Sequence, residues 1–135
     1  VPDLPIAMLF DSSERARTMP TAGRQFYDRQ IACLETGDVP RLIAEQYHAD
    51  AILIGFDMTV QGHAALFDHF TNYMAQVGQI KLKSTDRFTE TDDAIFFEAT
   101  ILTAHGEARV YNVFLLKDNK ATHHFTGLIA FTPFA

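Results

Sequence analysis

The sequence has no tryptophan, a single cysteine, and only 11 Lys and Arg against 17 Asp and Glu. The lone Cys33 has no partner for an intrachain disulfide, which suits a reducing compartment. A net charge of −6, with no basic cluster beyond Lys81 and Lys83, argues against nucleic acid, whose binding needs cations to neutralise phosphate. No apolar run approaches the ~20 residues of a membrane-spanning helix. The opening Val1–Phe10 stretch lacks a basic n-region and a long apolar stretch, so it reads poorly as a signal peptide. The expected setting is the cytoplasm, with neither membrane nor nucleic acid as partner. Zinc-motif spacing is also missing. His123 and His124 are adjacent and point to opposite faces of a strand, His63 and His69 stand six apart on a helix, and His48 and His105 are isolated. No metal site is expected.

What is present is one domain's worth of ordinary globular sequence. The chain has 135 residues, 47% of them hydrophobic, with a bias towards Phe, which occurs 12 times. A domain of this size buries about two thirds of its unfolded surface and needs no disulfide or metal to fold. Phe lines greasy pockets as readily as it fills cores.

The hydrophobic period changes near the middle of the chain. Residues 1–19 read as an N-terminal tail, in which Ile6 to Phe10 is the stretch able to pin to the body or to a partner. A helix follows Met19-Pro-Thr21, with Phe26, Tyr27, Gln30, Ile31 and Leu34 on one face. Gly37 is its C-cap, and Asp38 is the N-cap of a short second helix with Pro40 in its first turn. Leu42, Ile43 and Tyr47 give that helix its apolar side. Ala51 to Phe56 reads as a strand, and the segment from Asp57 to Gly62 as a turn with a second short strand. A third helix runs from His63 to about Val77, its stripe made of Leu66, Phe67, Phe70, Tyr73, Met74 and Val77. Four strands fill residues 79–134, with turns at Asp92-Asp93, at His105 to Glu107 and at Asp118 to Lys120. The order is ααβ(β)αββββ, and residues 20–135 form a single domain.

Three segments carry a family resemblance. Glu35-Thr-Gly-Asp38, Tyr47-His-Ala-Asp-Ala51 and Gln61-Gly-His-Ala-Ala65, in this order and ahead of four strands, resemble the nuclear transport factor 2-like superfamily, in particular its SnoaL-like and ketosteroid-isomerase-like branch. The resemblance implies an α+β cone: three helices packed on a strongly bent, mainly antiparallel sheet that encloses a pocket. No cofactor is expected. The branch contains isomerases, cyclases, dehydratases, hydrolases and proteins without known reactions, so fold alone does not select an activity. Anchored on these segments, the isomerase's oxyanion-holding Tyr falls on Gln30, its protonated Asp near Asn112, and its proton-shuttling Asp on Gly55. A glycine carries no proton, so that mechanism is lost unless Asp57 replaces the base. Gln30 and Asn112 still offer two hydrogen bonds to one oxygen.

Strand alternation supplies the remaining candidates. With Asn112 facing inward, Val110, Phe114 and Leu116 follow it. The same alignment turns Phe96, Glu98, Thr100 and Leu102 inward from the preceding strand, and Thr122, His124, Thr126 and Leu128 from the last. Glu98 and His124 would then be an acid–base pair, with Asn112 and Gln30 polarising a substrate oxygen. The alternative is a one-residue slip, which turns Glu98 and His124 to solvent and leaves Ile95, Phe97, Ala99 and Ile101 as core. Phe26, Phe56, Asp57, Met58, Phe67, Phe70 and Met74 are the candidate ligand contacts, with the mouth near Asp57. The expected ligand is a small apolar molecule, handled either by acid–base catalysis or by a non-catalytic binding or dimeric interaction module. Tyr111, Val113, Leu115, His123, Phe125 and Ile129 point outward. That much apolar surface anticipates a homodimer through the outer sheet face.

Overall fold

The computed structural model describes residues 20–135, so the tail assigned to residues 1–19 lies outside the described residues. Helix α1 (Ala22–Thr36) starts where the Thr21 hydroxyl accepts a hydrogen bond from the Arg24 backbone N–H. It ends at Gly37, whose φ of 71° lets its N–H turn back to the carbonyls of Cys33 and Leu34. Asp38 caps α2 (Val39–Gln46) through the Arg41 N–H, and Pro40 occupies the first turn. The chain then enters β1 (Tyr47–Ile54), β2 (Thr59–Gln61), α3 (His63–Val77), β3 (Lys81–Thr91), β4 (Ala94–Leu102), β5 (Gly106–Lys117) and β6 (Lys120–Pro133). The β5–β6 turn is a two-residue loop, Asp118-Asn119. Both residues have positive φ, as the twist of a tight hairpin requires.

One six-stranded sheet results, ordered β2-β1-β6-β5-β4-β3. Every neighbouring pair is antiparallel except β1 with β6. Register shifts interrupt β3–β4 at Leu82/Ser84 and Thr85/Arg87, and β5–β6 at Arg109/Val110 and Leu115/Leu116. Each such irregularity adds bend and twist, which curls the long strands around the helices. Helix α1 rests against β3, and α3 against β1 and β2. Gly23 allows the approach of α1, because a Cβ there would lie 2.7 Å from the Ile95 side chain. The core between helices and sheet contains Phe26, Tyr27, Leu42, Tyr47, Leu53, Leu66, Ile95, Phe97 and Phe114, all sealed from solvent.

Three expectations need correction. Tyr47 belongs to β1 rather than to the apolar side of α2, because the strand begins four residues before Ala51. Phe67 is exposed: the buried stripe of α3 passes through Leu66 and Phe70 and leaves position 67 to one side. The third correction is the parity of β4. Phe97 pairs with Asn112 and Glu98 with Tyr111, so Ile95, Phe97, Ala99 and Ile101 face inward, while Phe96 and Glu98 face outward. Apolar residues occupy both faces of β4, so alternation could not set its direction. The residues between Leu102 and Glu107 set it instead, since that connection decides which β4 residue meets Asn112.

Candidate functional site

The curled sheet and the helices leave a cavity of about 530 Å³, within the range of small-molecule sites. Gln30, Ile31 and Leu34 line it from α1, and His69, Phe70, Tyr73 and Val77 from α3. The inner sheet face contributes Phe97, Ala99, Ile101, Ala108, Val110, Asn112, Phe114, His124 and Thr126. Exposed lining residues mark its mouth. They are Phe56, Asp57 and Met58 in the loop after β1, His105 in the β4–β5 turn, and Leu128 and Phe131 on β6.

One wall carries a buried polar relay. Gln46 ends α2, and its Nε2 donates to the Phe26 carbonyl at 2.9 Å, while its Oε1 accepts from Arg29 Nε at 3.1 Å. A carbonyl only accepts and a guanidinium only donates, so this amide has one orientation. The same Nε2 donates to Gln30 Oε1 at 3.2 Å, which leaves Gln30 Nε2 to donate to the Tyr47 hydroxyl at 3.2 Å. That hydroxyl proton is then free for Nδ1 of His124, 2.8 Å away. With Nδ1 accepting, the single proton of neutral His124 sits on Nε2 and is donated to Asn112 Oδ1 at 2.7 Å. The last group, Asn112 Nδ2, has no protein acceptor among the described residues and belongs to a side chain on the cavity wall. The relay therefore presents one amide NH2 group without an acceptor to a mostly apolar space.

Burial sets the charge state of this wall. Desolvation pushes the His124 pKa down to about 3, with a smaller contribution from the charge of His69. The ring also packs at a 37° tilt against Phe114 with centroids 3.8 Å apart, which leaves no room for a counter-ion on that side. Burial raises the Tyr47 hydroxyl well above its usual value, opposed only by the hydrogen bond from Gln30. The relay is neutral at every physiological pH.

The expected site residues divide accordingly. Gln30, Asn112 and His124 come together, and Phe56, Asp57, Met58 and Phe70 line the cavity or its mouth. Phe26, Met74 and Phe67 are absent from the lining. Phe26 is sealed in the core and Met74 packs at the core's edge. Glu98 is a correction: it lies on the outer face, where Arg109 Nη2 donates to it at 2.7 Å. It forms no pair with His124. Tyr47, Gln46 and His69 were not among the expected site residues. Gln46 carried a signal, a polar residue four after Leu42 and three after Ile43 on the buried face of a short helix. His69 carried another, three after Leu66 and four before Tyr73.

An α+β cone with a helix-roofed cavity is the architecture of the nuclear transport factor 2-like superfamily. Within it, the SnoaL-like domain profile matches residues 24–124, and the chain belongs to that family. No curated protein matches the sequence. Solved structures share the fold. An NTF2-like protein of Anabaena variabilis superposes with a TM-score of 0.69 at 17% identity, covering 81% of this chain and 87% of the other. A protein of Shewanella putrefaciens, provisionally assigned as a SnoaL-like polyketide cyclase, gives 0.70 at 12% identity, covering 87% and 86%. TerC, co-crystallised with polyporic acid, gives 0.66 at 18% identity, covering 81% and 92%. At such identities the likeness concerns fold alone.

Proposed function

We propose that the cavity binds a small, largely apolar, carbonyl-bearing molecule and promotes cofactor-independent acid–base chemistry on it. The observation that carries this reading is the Asn112 amide, a lone donor held by a buried relay at the wall of an apolar cavity. A ligand oxygen placed there gains a hydrogen bond whose geometry is set in advance, and a developing oxyanion gains more. Families with this fold named for cyclase and isomerase activity are compatible with such a substrate. The ketone 2-tetralone and its hydrocarbon counterpart tetralin form the test. Wild type should bind the ketone more tightly, and Asn112→Leu should erase the difference. Equal binding of the two by wild type would refute the reading.

A specific observation favours a second reading, that of a non-catalytic binder. His124 has both nitrogens engaged and stays neutral, so it cannot exchange a proton with a ligand without breaking the relay. Saturable ketone binding with no change in the ketone would select it.

We also propose a homodimer. Phe96, Val113 and Phe125 lie side by side on the outer face of three neighbouring strands, with Leu115 and His123 beside them. Phe96 and Leu115 are exposed in the single chain, and a second copy would cover them. We place the protein in the cytoplasm, where Cys33 would persist as the buried thiol it is here. Among the described residues no helix is long and apolar enough to cross a membrane.

A further inference from the structure

We infer that Gln30 decides which ligands the cavity accepts, by setting the direction in which the relay runs. The class it selects is the hydrogen-bond acceptor: ketones, aldehydes and esters rather than alcohols, whose hydroxyl proton would be left without a partner. This rests on the proposed reading of Asn112 as the ligand's polar contact and deepens it.

Gln30, Tyr47, His124 and Asn112 each turn a donor one way along the line and an acceptor the other. Such a chain can run in either direction. With every group reversed, the same residues meet and the number of hydrogen bonds is unchanged. Only the end on the cavity differs: Asn112 shows the ligand its NH2 in one direction and its carbonyl oxygen in the other. His124 keeps the chain strictly directional. Burial lowers its pKa to about 3, so the ring carries a single proton, on Nδ1 or on Nε2 but not on both.

The choice is made where Gln46 meets Gln30. Gln46 is fixed by the Phe26 carbonyl and by Arg29, so it offers Gln30 only an N–H, at 3.2 Å. Gln30 answers with its one oxygen. What remains to it is NH2, which obliges Tyr47 to accept and then to donate to His124. Although it lines the cavity, Gln30 is only 2% exposed, so its amide has little access to any other partner. A carboxylate at this position would have the same shape but two acceptors. It would accept from Gln46 as before and from the Tyr47 hydroxyl as well. The Tyr47 oxygen would then take the His124 Nδ1–H, and Nε2 would become a lone pair. Asn112 would have to turn its NH2 to Nε2 and its oxygen to the cavity. Replacing one buried NH2 by oxygen, three hydrogen bonds away from the ligand contact, inverts the polarity of that contact.

The test is Gln30→Glu in the full chain, with Gln30→Leu beside it and circular dichroism as the check of fold. Long-range 1H–15N NMR reads the His124 tautomer. The side-chain 13C shift reads whether the new carboxyl is ionised, and calorimetry reads the affinities for 2-tetralone and 2-tetralol. Wild type should hold the Nε2–H tautomer and bind the ketone more tightly than the alcohol. At pH 8.5 an ionised carboxyl should come with the Nδ1–H tautomer. It should also move the ratio of affinities at least about tenfold towards the alcohol, the scale of a buried polar group left unsatisfied. A carboxyl that keeps its proton donates it to Tyr47, and should come with the wild-type tautomer and ratio. Gln30→Leu leaves the Tyr47 proton no partner but His124, so it too should keep Nε2–H. An Nδ1–H ring in wild type, or a wild type that does not prefer the ketone, overturns the inference. So does an ionised carboxyl beside an Nε2–H ring, or a reversed tautomer with an unchanged ratio. The proposed function survives each of these results as long as wild type prefers 2-tetralone to tetralin. Binding of neither the ketone nor the alcohol by wild type overturns both.

Discussion

The hydroxyl of Tyr47 lies 2.8 Å from Nδ1 of His124, with both side chains sealed from solvent and 77 residues apart in sequence. This one contact joins the part of the relay anchored on the helices, which reaches the sheet at Tyr47 on β1, to its far end on β6 and β5. Everything on its helical side is oriented by a backbone carbonyl and an arginine, and everything on its sheet side follows from the tautomer it imposes. The geometry of Asn112 at the cavity wall is therefore decided at Phe26 and Arg29, on a different element.

Tyr47→Phe removes that link while keeping the ring. Gln30 Nε2 and His124 Nδ1 are then left buried without partners. The cost should be about 1–3 kcal/mol, the range for orphaned buried polar groups, read as a lower urea midpoint with unchanged slope. Ketone binding should weaken as well, because His124 and Asn112 lose their fixed orientation. Unchanged stability would mean that water or a rotated neighbour takes over the vacant positions.

Acid should unfold the protein through His124. Its folded pKa of about 3 lies below its ordinary value of 6.5. Between these the unfolded chain binds a proton that the folded chain refuses. Stability is therefore complete above about pH 6.5 and falls as pH drops towards 3, by up to about tenfold in the folding equilibrium per pH unit. His69 acts in the same direction, since burial lowers its pKa too. Asp86, lowered by hydrogen bonds from Ser84 and Thr100, adds a loss at still lower pH. Urea midpoints at pH 7.5 and 4.5 should differ markedly in wild type and much less in His124→Gln. Equal differences would assign the acid sensitivity to the carboxylates instead.

Much of this architecture was legible because its signals are local. Thr21, Gly37, Asp38 and Pro40 bound two helices through caps that act within four residues, and the Asp118-Asn119 turn announces its hairpin. Inward Asn112 came from the family resemblance, and alternation together with the same alignment carried that direction to His124, because both faces of β5 and β6 are too apolar to set it alone. Glu98 failed on the same alignment. The run Ile95-Phe96-Phe97 is apolar in both directions, so parity was decided by a connection whose length composition does not reveal. The relay was illegible as a whole. Its members lie on α1, α2, β1, β5 and β6, and no periodicity links a glutamine within α1 to a tyrosine 17 residues on that opens a strand, or that tyrosine to a histidine 77 residues further.

Glu98→Gln should leave the site untouched. The carboxylate lies on the outer face with Arg109 and, more distantly, Arg87. Such partly exposed pairs contribute about 1 kcal/mol or less. Ketone affinity should match wild type, and the urea midpoint should shift only slightly. A large loss of binding would mean that the outer charge cluster communicates with the cavity through the sheet.

Phe96→Asp tests the outer face. Phe96 pairs with Val113, which pairs in turn with Phe125, so the three form an apolar row across β4, β5 and β6. Because Phe96 is 48% exposed in the single chain, a carboxylate there should not disturb folding. Wild type should sediment as a dimer at micromolar concentration and the variant as a monomer. Identical sedimentation of the two would exclude this row from any interface.

Ala108→Leu tests the cavity itself. Ala108 faces inward beside Ile101 and lines the cavity, so a larger side chain at that position should extend into it. Three added carbons buried against Ile80 and Val110 should hold or raise stability by about 1–2 kcal/mol, at roughly 0.8 kcal/mol per buried CH2 less the cost of fixing a longer side chain. The same carbons occupy volume that a ligand needs, so 2-tetralone affinity should fall at least tenfold. Stability and binding then move in opposite directions, which a merely damaged protein would not do. A lower melting temperature with unchanged affinity would show that this end of the cavity is packed against ligand-free walls and that the ketone sits elsewhere.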